Sequence, residues 1–365
     1  MKIVTSGGGI VIAMLIAVFV GAGRSKAGEI PANDPKIQYF GRWDFSNPLS
    51  PRHSWPGVSL RARFEGTSIG IRMNDTYCYY NVTIDDTLTS VFHQTSTAPA
   101  FTMLASGLSN AETGHTIRIS KRNESAWTSF SFEGFVLDSG KTLLEPEAMS
   151  ERKIEFIGDS YTSALGNEWA DTCAAPDAQR YTNIDQGFAA LTARHYNAQF
   201  HSISQSGLGL VCDFESNFSN TLPEKFGRTL CSSDSIHWNF RRWIPQLVVV
   251  CLGLNDYTAF GGYDAKVSRE RTAMFKSRYH QFLEHIRQTY PHVKMLALAA
   301  HVDWVRKTVS AIVDEERKIG NADVFFGTFP EFDEEDYVNG GHPNVGTHQK
   351  ITEYLIESID AMHVW

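Results

Sequence analysis

The sequence contains no Cys-x-x-Cys pair and no histidine-rich run at metal-ligand spacing, so the common zinc-binding patterns are excluded. Basic charge is also scarce. Against 41 Asp and Glu stand 33 Lys and Arg, a formal net charge of -8, and neutralising a phosphate backbone needs clustered cations that this chain lacks. Nucleic acid is therefore a poor partner and a neutral polymer a better one. Long apolar runs are absent except at residues 10–20, which follow Lys2 and precede Ser25-Lys26-Ala27. That order matches a cleaved export signal, so residues 1–27 are expected to be removed and the protein to be secreted or periplasmic, free of the membrane after cleavage. Five cysteines cannot all pair within one chain. Cys251, in an apolar run, is expected to be a buried thiol, while Cys173, Cys212 and Cys231 lie in polar stretches where an oxidising compartment permits one disulfide.

What is present is an ordinary globular composition, 42% hydrophobic and 12% aromatic, over 365 residues, a length that favours two domains. The apolar period divides them. Up to about residue 145, alternation dominates: Val58, Leu60, Ala62 and Phe64 lead through Glu65-Gly66-Thr67 to Ile69, Ile71 and Met73, which is hairpin spacing. Similar pairs at Val82 and Ile84, Ile117 and Ile119, and Phe130 and Phe132 predict an all-β sandwich over 28–145. From residue 146, short apolar runs begin at Ile154, His201, Leu247, Met295 and Val324 and alternate with helical patterns, as at Phe275, Tyr279, Phe282 and Ile286. A five-stranded parallel sheet with crossover helices is predicted over 146–365.

In such sheets the chemistry gathers at the carboxyl ends of the strands. The first strand is followed by Gly158-Asp159-Ser160-Tyr161, a tight turn expected to set a hydroxyl at the mouth of a helix. Gly207 follows the second strand and Gly253-Leu254-Asn255-Asp256 the third; the Ser160 and Gly207 N–H groups with the Asn255 amide would form an oxyanion hole. His342, kept out of helix by Pro343, would take the proton that a serine hydroxyl must lose to become a nucleophile. Each piece alone is a common turn or helix cap. Their order along one chain carries the assignment.

This set resembles the SGNH, or GDSL-type, hydrolase superfamily, with Gly158-Asp159-Ser160, Gly207, Gly253-Leu254-Asn255-Asp256 and His342-Pro343 as the matching motifs. Trp43-Asp44-Phe45-Ser46-Asn47-Pro48 and Ser54-Trp55-Pro56-Gly57 are similar to the jelly-roll module of carbohydrate esterase family 2. The resemblance implies a three-layer α/β/α hydrolase domain behind a jelly-roll sandwich, and an exported esterase that removes O-acetyl groups from xylan, glucomannan and related polysaccharides without a cofactor or metal. Where the superfamily commonly places an aspartate shortly before the histidine, this chain has Asn339 and Gly340. A Ser-His dyad follows, with the Gly340 carbonyl accepting the imidazole N–H; the competing acid would come from Asp333-Glu334-Glu335-Asp336. Tyr161, Trp169, Tyr257 and Trp304 are candidate sugar-stacking residues. Two other readings are an SGNH-type esterase acting on a lipid, thioester or peptidoglycan, and a carbohydrate-binding protein without turnover.

Overall fold

The computed structural model describes residues 28–94, 100–170, 177–338 and 341–365; the expected export signal, Cys173, Asn339 and Gly340 lie outside the described residues. The first half is built from β1 (Gly28–Pro31), β2 (Gln38–Phe40), β3 (Arg52–His53), β4 (Ser59–Phe64), β5 (Ile69–Asn74), β6 (Tyr79–Ile84), β7 (Thr87–His93), β8 (Ala100–Ala105), β9 (His115–Lys121), β10 (Phe130–Leu137) and β11 (Leu143–Leu144). One antiparallel sheet runs β1-β10-β5-β8 with β3 on β10, and the other β11-β4-β9-β6-β7 with β2 on β4. Because side chains alternate along a strand, one face of each sheet is apolar and the two faces bury each other. Leu60, Ala62 and Phe64 of β4 meet Ile69, Ile71 and Met73 of β5 in that shared core.

The expected hairpin at residues 58–73 is corrected here. Strands β4 and β5 are both present, but β4 pairs with β9 and β5 with β10, so the connection crosses between sheets. Asp138 explains the crossing: its carboxylate accepts the Thr67 N–H at 2.6 Å and the Ser68 N–H at 3.2 Å, tying the turn to the end of β10 instead of letting it close on itself. Alternation records which side chains are buried and does not record the pairing partner.

The second half contains β12 (Lys153–Gly158), α1 (Phe188–His195), β13 (Gln199–Ser204), α2 (Leu222–Lys225), β14 (Arg228–Leu230), β15 (Ser233–His237), β16 (Leu247–Cys251), α3 (Leu254–Ala259), α4 (Arg269–Thr289), β17 (Lys294–Ala299), α5 (Asp303–Lys318), β18 (Val324–Thr328) and α6 (Val345–Met362). A parallel sheet in the order β13-β12-β16-β17-β18 forms its centre. Val248, Val250 and Ala297 face the cluster that holds α4 and α5, whereas Leu247, Val249 and Leu298 face the cluster that holds α1 and α6. Burial on both faces is why these strands read as continuous apolar runs. The chain leaves β12 for β13 on one side and reaches β16 on the other, so the order reverses at β12 and opens a crevice at its carboxyl end.

Four cysteines, Cys78, Cys212, Cys231 and Cys251, are buried free thiols. The expectation of a disulfide is thus corrected for Cys212 and Cys231; the Cys231 thiol lies 3.2 Å from Gln205 Oε1 instead. The two halves are joined by a fully buried ion pair. Arg42, just after β2, donates to Glu155 Oε1 at 2.9 Å and to the carbonyls of Phe226 and Arg228 at 2.5 and 2.9 Å, and neither charged side chain is exposed.

Candidate active site

Gly158, the last residue of β12, stands level with Ser204 of β13 and Cys251 of β16. The three following segments, which carry Ser160, Gly207 and Asn255, therefore share one rim. A Cβ on Gly158 would lie 2.0 Å from Thr162 Oγ1 and 2.9 Å from the Cys251 carbonyl, so only glycine lets the chain turn this tightly. Beyond it the expected helix does not form. Successive turns run through residues 159–169, closed by Ser163 N–H on Asp159 O at 3.0 Å and Leu165 N–H on Ser160 O at 2.9 Å. Ala164 sits in the left-handed region at φ 57°, and Asp159 Oδ1 accepts the Tyr161 N–H at 3.0 Å. Both features break helical propagation.

Asp159 and Asp256 hold the rim rigid. Asp256, with no exposed surface, accepts the N–H groups of Leu210, Val211 and Cys212 at 2.8, 2.7 and 3.3 Å, which fixes the loop after β13. Burial pushes its carboxyl up to about 6 against those three bonds. Burial likewise pushes Asp159 up to about 7, opposed by the Tyr161 N–H and reinforced by the Asp256 charge. Between them the Asn255 amide donates to Leu208 O at 2.9 Å and to Asp159 Oδ2 at 3.3 Å. Gly207 has φ 80° and a Cβ there would lie 2.9 Å from the Phe214 ring. Among the described residues the Ser160 and Gly207 N–H groups donate to no protein acceptor, which leaves them available to a ligand.

His342 reaches the same rim from the segment before α6. Tyr337 bridges to Pro343, and Val338 N–H donates to His342 O at 2.8 Å. The imidazole stands edge-on to the Tyr161 ring with centroids 5.6 Å apart, next to the nucleophile candidate in sequence. Asp336 is committed elsewhere: its carboxylate accepts Asp333 N–H at 2.9 Å, Thr347 Oγ1 at 2.9 Å and Lys350 Nζ at 2.6 Å. Burial raises its pKa, but those donors outweigh it and leave the group below the usual carboxylate range. It anchors the chain on either side of His342. Beneath lies His348, fully buried, whose Nδ1 faces the Phe188 N–H at 3.3 Å; burial first, and then the His342 charge, lower it to about 3.

A family model described as the carbohydrate esterase 2 N-terminal region matches residues 39–146. The chain is 30% identical to the cellulase/esterase CelE of Acetivibrio thermocellus over 345 residues, 91% of this chain and 40% of that protein. It is 30% identical over 251 residues to an acetylxylan esterase/glucomannan deacetylase of Cellvibrio japonicus, 66% of each. A family two carbohydrate esterase from Clostridium thermocellum, solved in complex with cellohexaose, superposes with a TM-score of 0.80 at 28% identity, over 90% of this chain and all of that one. The chain is thus similar to family two carbohydrate esterases along most of its length. It spans less than two thirds of the length of the two curated relatives.

The segments carrying Ser160, Gly207 and Asn255 leave neighbouring strands at one level and His342 packs on Tyr161 beside them, while the carbonyl of Gly340 lies outside the described residues. The aromatic candidates are spread out. Tyr161 is buried under the site with its hydroxyl 3.4 Å from Gly341 O, and Trp169 lines a cavity of about 400 Å³ with Glu168, Tyr337, Val338 and Asn344. Tyr257 and Trp304 pack on each other at 5.8 Å, and the Trp304 indole N–H donates to Thr272 at 3.1 Å. Sequence reasoning missed His301, which follows β17 at the same end of the sheet and whose Nε2 lies 3.1 Å from the Tyr337 hydroxyl. Its position after a parallel strand was a usable signal. It also missed Tyr263 and Phe214, 64% and 51% exposed beside the rim, which nothing in the local pattern distinguishes from core aromatics.

Proposed function

We propose that this protein is an exported serine esterase that removes O-acetyl groups from plant cell-wall polysaccharides such as acetylated xylan and glucomannan. The observation that carries the reading is the unengaged N–H groups of Ser160 and Gly207 at the carboxyl end of the sheet, with His342 packed on Tyr161, the residue after Ser160. Ser160 Oγ attacks the acetyl carbonyl while His342 takes its proton; the Ser160 and Gly207 N–H groups and the Asn255 amide receive the negative charge on the carbonyl oxygen. The longer Asn255 contact, to Asp159, is the one a substrate oxygen would draw away. His342 then protonates the departing sugar hydroxyl, and water repeats the cycle on acetyl-Ser160. A dyad is favoured because Asp336 is engaged with Thr347 and Lys350, which leaves a main-chain carbonyl as the expected acceptor of the imidazole N–H. The names of the relatives, and the glucan chain bound by one of them, support a β-linked polysaccharide as the carrier of the acetate. The β half is read as a jelly-roll module and residues 1–27 as a cleaved signal, giving a secreted or periplasmic protein.

The test is acetate release from acetylated xylan and acetylated glucomannan by the protein and by Ser160→Ala, with a long-acyl ester as comparator. Release that vanishes in Ser160→Ala and is weak on the comparator is the expected result. Cleavage of the comparator alone would refute the polysaccharide assignment, and glucan binding without any release would refute the enzyme.

A further inference from the structure

Residues 121–125, Lys-Arg-Asn-Glu-Ser, form an unusual feature of the β half: five consecutive polar residues, none more than 5% exposed. Buried polar groups persist where each has a partner, and here four of the partners, Glu168, Gln179, Thr182 and Ser206, lie in the other half of the chain. Lys121 Nζ donates to Ser54 O at 2.5 Å and Ser125 Oγ at 2.6 Å, which ties the segment into the sandwich. Arg122 donates to Thr182 O at 3.1 Å and to the Glu168 carboxylate, and Asn123 to Gln179 Oε1 at 3.3 Å. Glu124 reaches furthest: its Oε2 accepts the Ser206 N–H at 2.8 Å, one residue before Gly207.

The loop after β13 is thus held at each residue leading to the oxyanion position. Gln205 N–H donates to Gly158 O at 3.2 Å and its side chain accepts Lys225 Nζ at 2.6 Å. Ser206 N–H is taken by Glu124. The Gly207 carbonyl accepts Phe214 N–H at 2.9 Å, and the Gly207 N–H is left to face a ligand. We infer that Glu124, supplied by the β half, is a positioning residue for the oxyanion hole, fixing the 205–206 peptide so that the Gly207 N–H points at the developing negative charge. This rests on the proposed role of Gly207 and Asn255 in that hole. Preorganised donors stabilise a transition state because they need not reorient during reaction, so a loosened Gly207 should cost turnover without weakening substrate binding.

The inference makes the acceptor and its reach matter and the charge not. Glu124→Gln keeps both, whereas Glu124→Asp keeps the charge but withdraws the oxygen by one methylene. With 4-nitrophenyl acetate, Glu124→Asp is expected to lower kcat about tenfold at unchanged KM, and Glu124→Gln to stay within about threefold of the parent. A role limited to balancing the Lys121 charge would reverse that order, with the glutamine the more damaged variant, and would overturn the inference. Asn255→Ala, measured alongside, separates the two ideas. If Asn255→Ala loses kcat and Glu124→Asp does not, Glu124 alone is dismissed; if Asn255→Ala keeps full kcat, the oxyanion-hole reading fails and the inference falls with it. In the double variant Glu124→Asp/Asn255→Ala the combined loss is expected to be smaller than the product of the single losses, because both act on one charge. Multiplicative losses would show that Glu124 acts elsewhere.

Discussion

Replacing Arg42 with methionine removes one half of a buried ion pair and strands the other. Glu155 has no exposed side-chain surface, and its next cationic neighbour, His201 Nδ1, is 3.7 Å away in a ring that burial keeps near a pKa of about 4 and therefore neutral. The Phe226 and Arg228 carbonyls lose a charged donor as well. Breaking a buried pair by deleting one partner costs about 3–5 kcal/mol. Methionine refills most of the space between the Phe226, Trp238 and Phe240 rings that surround the guanidinium, so the loss should be electrostatic, not steric. The pH dependence tests that. Burial raises the Glu155 carboxyl and the Arg42 charge outweighs it, leaving the group below its usual range; its stabilising contribution is present above the unfolded value of about 4.5 and is lost as pH falls through the folded one. Without Arg42, burial, the largest influence on the group, is opposed only by the neutral His201 ring; the folded pKa then lies above the unfolded one and the variant weakens as pH rises. Urea unfolding should therefore show a larger gap between parent and Arg42→Met at pH 8 than at pH 5, with Arg42→Met/Glu155→Leu recovering most of it. A gap below about 1 kcal/mol at pH 8 would refute the argument.

Three further outcomes follow from the same geometry. Asn255→Ala should lower kcat about a hundredfold or more with KM little changed, because one oxyanion donor is worth about 3 kcal/mol; steady-state kinetics on an acetyl ester checks this. Asp336→Ala should lose about 1–2 kcal/mol of stability with its cap and its Lys350 contact, yet keep turnover within about tenfold. A loss near ten-thousandfold would mean that Asp336 serves His342 as a triad acid. His348, at about 3 in the fold against about 6.5 unfolded, binds protons more readily in the unfolded chain, so it lowers stability as pH drops from about 7 towards 3. His348→Asn should therefore lose about 2 kcal/mol less than the parent between pH 7 and pH 5, measured as the change in unfolding free energy.

The sequence by itself determined the parallel sheet and pointed to the candidate reacting groups. A strand covered on both faces must be apolar at consecutive positions, so Leu247, Val248, Val249 and Val250 announce themselves without reference to any other segment. Ligand-facing positions at strand ends follow those runs at once, which made Ser160, Gly207 and Asn255 candidates from position alone. His342 was legible because Pro343 bars helix there. The tertiary structure decided whatever depends on a partner remote in the chain. Alternation in β4 and β5 said which side chains are buried, but Asp138, 70 residues or more from the Thr67 and Ser68 N–H groups it holds, sends the two strands into different sheets. For Arg42, Glu155, Asp336 and the run 121–125, nothing local in the sequence supplies the counter-groups. Burying such groups is tolerable only when a folded partner meets them, and that partner comes into existence with the fold.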